Sequence, residues 1–164
     1  MRFSLLAIVG LIALSGCKQP SETVSNIPDE GETAAITTGT RTADDITNAL
    51  VSKGLPIENL KIVTEESDSN KLMGRPGQYI SKTYFGDSRR KGEGMSPEKQ
   101  NSIEVFANED DATKRREYIE GVTKGVPMLT QYMVQKRNVL LRLDKALTPK
   151  EAKEYENALS EVTG

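Results

Sequence analysis

Apolar residues fall into three regimes along the chain. Phe3 to Leu14 is an almost unbroken apolar run, interrupted only by Ser4 and Gly10. Lys18 to about Gly39 carries Ser, Thr, Glu, Pro and Gly and almost no large apolar side chain. From about Thr40 to Val162 apolar positions recur with helical or strand periods. The expected division is therefore a leader over 1–16, a polar tether over 17–40 and one globular domain over 41–164. Some 120 residues suffice for one domain with a modest core, in the size range of about 100–150 residues.

Within the last regime the pattern predicts alternating helices and strands. Thr42 and Asp45 form a capping box ahead of Ala43, Ile46, Ala49 and Leu50, which share one helical face. Gly54 and Pro56 end that helix. Leu60–Thr64 and Gln78–Phe85 alternate as strands, and Ser102–Phe106 reads as a third. The charged, glycine-rich stretch from Gly86 to Asn101 is expected to be a long connection. Asn108 caps a second helix, with Ala112, the stem of Arg116, Ile119 and Val122 or Thr123 expected inward. Leu129–Val134 and Val139–Leu143 flank Gln135-Lys136-Arg137-Asn138 as a hairpin. Thr148-Pro149-Lys150-Glu151 opens a last helix whose inner residues are Ala152, Tyr155, Leu159 and Val162. The order α-β-β-β-α-β-β-α implies an α+β fold. Its expected form is a mostly antiparallel sheet of about five strands, with helices on one face and the other face partly open as a contact surface.

The leader ends on Leu14-Ser15-Gly16-Cys17. Its apolar core is too short to span a bilayer, which takes about 20 residues, and Arg2 supplies the positive head of a secretory signal. The ending resembles the lipobox of bacterial lipoproteins. That resemblance implies cleavage between Gly16 and Cys17 and acylation of Cys17, the chain's one cysteine. Two or three acyl chains would anchor the protein, whereas one binds only reversibly. Lys18 after the cysteine implies the outer membrane in a Gram-negative host. In a Gram-positive host the destination is the outer face of the cell membrane.

The formal charge of −2 becomes −3 once Arg2 leaves with the leader, with no clustered basic footprint of the kind that nucleic acid requires. Histidine is absent. That removes Ser-His-Asp and Cys-His machinery and most zinc or copper sites, so neither a cofactor nor a metal is expected. Ser96-Pro97-Glu98-Lys99 matches S-x-x-K, but S-D-N and K-T-G do not follow, and a capped helical turn explains it. The carboxylate pairs Glu65-Glu66 and Asp110-Asp111 read as solvated surface. Asp68-Ser69-Asn70 lacks the glycine and distal glutamate of a calcium loop.

What remains is Leu72 to Lys91. Gly74-Arg75-Pro76-Gly77-Gln78-Tyr79 forms a turn that presents Arg75, Gln78 and Tyr79, with Asp87, Arg89 and Arg90 following in a loop. Arg and Tyr are enriched at binding hot spots, so this segment is the expected recognition edge. The Gly-Arg-Pro-Gly-Gln-Tyr turn, with Asn138-Val139-Leu140-Leu141-Arg142-Leu143 before a Leu-Thr-Pro helix, resembles uncharacterised bacterial secreted or lipid-anchored domains. The resemblance implies the domain limits and no particular activity. The expected function is a non-enzymatic binding module of the cell envelope, held by Cys17 and contacting an envelope protein or small ligand. The alternatives are an inhibitor or exclusion factor against an envelope enzyme or incoming phage, and a hydrolase working through carboxylates alone.

Overall fold

Each helix begins where a side chain can satisfy the backbone N–H groups of its first turn. In the computed structural model, which describes residues 41–90 and 101–164, α1 spans Ala43–Ser52. The Asp45 N–H donates to Thr42 Oγ1 at 3.1 Å, and the Thr42 N–H donates back to Asp45 Oδ2 at 2.9 Å. Helix α2, Glu109–Thr123, is capped by Asn108, whose Oδ1 accepts the Asp111 N–H at 2.9 Å. Thr148 and Glu151 repeat the reciprocal box at the start of α3, Pro149–Thr163. Caps of this kind contribute about 1 kcal/mol each.

The strands are β1 (Ile57–Val63), β2 (Tyr79–Asp87), β3 (Asn101–Phe106), β4 (Gln131–Lys136) and β5 (Val139–Asp144). They form one sheet in the order β1-β2-β3-β5-β4, antiparallel throughout. The α+β class, the five strands and the order of elements follow the pattern read from the sequence. Several boundaries differ for local reasons. β1 starts before Leu60 and carries an irregularity at Asn59, whose φ is 53°. Pro127–Leu129 turns as a 3-10 helix, which delays β4 to Gln131. β2 runs on to Asp87, so the connection to β3 is shorter than expected. Ser96 and its neighbours, like residues 1–40, lie outside the described residues.

Side chains alternate across a sheet, so each strand divides its residues between two faces. Phe85, Ile103, Val105, Leu141 and Leu143 pack with α1 and α3 in the larger core, where Leu50, Tyr155 and Leu159 are fully buried. Tyr79, Phe106 and Leu140 point the other way and pack with Ala112 and Ile119 of α2. The expectation that all helices share one face therefore holds for α1 and α3, and α2 is the exception. Its two buried apolar residues, Ala112 and Ile119, suffice to seat it on the second face.

Candidate functional site

Helix α2 covers only part of the second face. Tyr84 of β2 pairs with Ser102 of β3, and Ser102 pairs with Arg142 of β5, so these three lie in one row across the sheet. Together with α2 and the Ser69–Gln78 loop this row lines a groove of about 940 Å³. That volume lies in the range of small-molecule sites.

Charge is concentrated at its floor. Glu104, in the middle of β3, is fully buried, and its Oε1 accepts a hydrogen bond from Lys82 Nζ at 2.8 Å. Arg115 of α2 donates Nε–H to Glu104 Oε2 at 3.2 Å, and Arg142 Nη1 lies 3.5 Å from Oε1. Burial alone raises the Glu104 pKa. The charges of Lys82, Arg115 and Arg142 outweigh it and hold the carboxyl below its usual range. Three cations against one carboxylate leave two positive charges in excess.

Lys82 is sealed in, its Nζ 4.7 Å from the ring centres of both Tyr79 and Tyr84. The arginines are not. Both line the groove, with side chains 10% and 19% exposed. A guanidinium has five N–H donors. Among the described residues no acceptor meets the terminal nitrogens of Arg115, while Arg142 also donates from Nε and Nη2 to Gln131 Oε1. The groove wall is apolar where α2 contributes Tyr118, Ile119 and Val122 and the following turn contributes Leu129. Asp111 at the rim is the carboxylate among the described lining residues, and Lys114 Nζ stands 3.9 Å from it.

The expected recognition edge has a different arrangement. Arg75 is exposed and Gln78 lines the groove. Tyr79 is fully buried. Its hydroxyl donates to Asp68, Oδ2 lying 2.8 Å away, and its ring packs edge-on to Phe106 with centroids 6.3 Å apart. Burial and the negative charge of Asp68 push the phenol pKa up, so it stays protonated. Asp68 also accepts the N–H groups of Leu72 at 2.8 Å and Met73 at 3.0 Å. Tyr79 therefore organises the loop from below and has no surface to present.

Asp87, Arg89 and Arg90 fasten the end of β2 to α3. Buried Asp87 accepts the Tyr155 hydroxyl at 2.8 Å and Arg89 Nη2 at 2.7 Å. Arg89 reaches on to Glu154 at 2.8 Å, and Arg90 pairs with Glu151. Only Gln78 of the six expected residues belongs to the groove. On α2 the inward-facing arginine is Arg115 rather than Arg116, which pairs with Glu120 at 2.7 Å on the outer side. The sequence signal for the site was available in part: Lys82, Glu104 and Arg142 are charges interrupting three apolar strands. Their convergence needed the order β2-β3-β5, which alternation does not reveal.

Among the described residues no helix is long and apolar enough to cross a membrane, and no cluster of carboxylates could hold a metal ion. Comparison with family models, curated proteins and solved structures finds no match to the chain.

Proposed function

We propose that the chain is a non-enzymatic binding module of the bacterial cell envelope, anchored by acyl chains on Cys17 and capturing an anionic ligand in the groove between α2 and the sheet. One observation carries this reading. Arg115 and Arg142 bring two excess positive charges to an otherwise half-apolar groove, where a ligand carboxylate or phosphate would meet the unshared terminal N–H donors of Arg115 beside the Arg142 guanidinium. A binding role is favoured over carboxylate chemistry because Glu104 is already committed to three cations as an ionised, buried group. The Leu14-Ser15-Gly16-Cys17 ending supports the anchor, and Lys18 supports the outer membrane where the host has one. A second reading, an inhibitor or exclusion factor docking on an envelope protein, draws on exposed Val126 and Met128 beside Leu129.

The test is titration of the full-length chain carrying Cys17→Ser with soluble carboxylates and phosphates at low salt. Binding should weaken about tenfold or more in Arg142→Gln, as expected for a charge-assisted contact. Equal binding by the variant and the parent would remove the groove from the function. Loss of the native protein from the membrane fraction on Cys17→Ser tests the anchor separately.

A further inference from the structure

The groove has two chemically distinct ends. The cationic floor is formed by side chains of the sheet and the first half of α2. The wall beyond it is formed by Tyr118, Val122 and Leu129, which are 64%, 53% and 42% exposed. These three contribute nothing to the core behind α2, which rests on Ala112 and Ile119. A helix needs no large apolar side chains on a watered side, and Tyr118 and Val122 of α2, joined in one groove by Leu129 of the following turn, mark a contact surface.

Resting on the anion-binding reading above, we infer that the ligand is a single-chain acidic amphiphile. Its carboxylate or phosphate head sits on Arg115 and Arg142, and its hydrocarbon body lies along Tyr118, Val122 and Leu129. Both halves are required by the lining. A bare inorganic anion leaves the apolar wall wet, and a neutral hydrocarbon leaves the excess charge uncompensated. Arg115 joins the two regions, since its guanidinium carbon lies 6.0 Å from the ring centre of Tyr118. The volume of about 940 Å³ accommodates such a molecule in an extended form.

The experiment is calorimetric titration of the full-length Cys17→Ser chain with inorganic phosphate, decyl phosphate, decanoate and decanol, all below their aggregation concentrations. Decyl phosphate should bind at least about tenfold more tightly than inorganic phosphate, a ratio that burying two methylenes already supplies. Decanoate should exceed decanol by a similar factor. Val122→Ser/Leu129→Ser, changes on an exposed wall, should abolish the advantage of decyl phosphate and leave phosphate binding unchanged. Arg142→Gln should weaken both acids and leave decanol unchanged. Phosphatidylcholine vesicles doped with lysophosphatidylglycerol, an acidic lipid with one acyl chain, separate the two sources of such a molecule. Co-sedimentation weakened by both variants marks a lipid still in its bilayer, and binding of free decanoate without co-sedimentation marks a diffusible acid; either result supports the inference. Equal affinity for phosphate and decyl phosphate would overturn the amphiphile while leaving the anion site standing. Binding of no anion would overturn both.

Discussion

Lys82 donates to Glu104 across the β2–β3 pair at 2.8 Å, with side chains only 1% and 0% exposed. Such a pair is held in place by what surrounds it: two aromatic rings about Lys82, and two further cations about Glu104. Removing one member of a buried ionic cluster costs most when it strands the others. Glu104→Gln strands three cations and should destabilise the protein by about 3–5 kcal/mol. Lys82→Met leaves Glu104 compensated by both arginines and should cost about 1–2 kcal/mol, near the value of the lost ring contacts. Urea unfolding of the two variants measures the difference, and equal losses would contradict the assigned charge balance.

Acid should weaken the fold through three buried carboxyls above all. Burial raises the pKa values of Asp68, Asp87 and Glu104, but the backbone N–H groups about Asp68, the Arg89 guanidinium beside Asp87 and the cations about Glu104 bring all three below the ordinary range. A carboxyl whose native pKa lies below its unfolded value of about 4 adds stability in full above that value. The contribution disappears as pH falls through the native pKa. The urea midpoint should therefore be level above about pH 5 and decline steadily below it. A midpoint unchanged at about pH 3 would show that these carboxyls are not held as described.

The class and element order were legible because capping and periodicity are local. Thr42, Asn108 and Thr148 announce their helices within one turn. In β5 the nearly continuous apolar run of a strand flanked on both sides replaces alternation, and it still reads as a strand from Val139 to Leu143. The placement of α2 was not legible. Its sequence is polar nearly all round, and which face of the sheet Ala112 and Ile119 meet depends on the chain's crossing from β3 to β4. Tyr79 misled for a related reason: a tyrosine after a Gly-Arg-Pro-Gly turn resembles an exposed hot spot until Asp68, eleven residues earlier, is seen beneath it.

Two glycines separate backbone from packing effects. Gly77 has φ +73°, and an added Cβ would lie an ordinary 3.6 Å from Asp111 Oδ1. Gly77→Ala should cost about 1–2 kcal/mol from the left-handed conformation alone. Gly121 sits in α2 with open space about it, so Gly121→Ala should stabilise by about 0.5–1 kcal/mol. Thermal unfolding should show shifts of opposite sign.

Arg89 distinguishes a fastening from a binding edge. Arg89→Ala removes the guanidinium from buried Asp87 and should cost about 2–3 kcal/mol of stability. Ligand affinity of the remaining folded protein should be unchanged. A loss of affinity with stability intact would restore the Asp87–Arg90 segment as the recognition surface.

Ligand capture in the groove requires direct contact with Arg115 and Arg142. NMR of the arginine Nε–Hε groups in the full-length Cys17→Ser chain, titrated with decyl phosphate, tests it directly. Saturable shifts are expected at Arg115 and Arg142, with Arg75, Arg89 and Arg90 unmoved. Shifts at Arg75, Arg89 or Arg90 with Arg115 and Arg142 silent would contradict it.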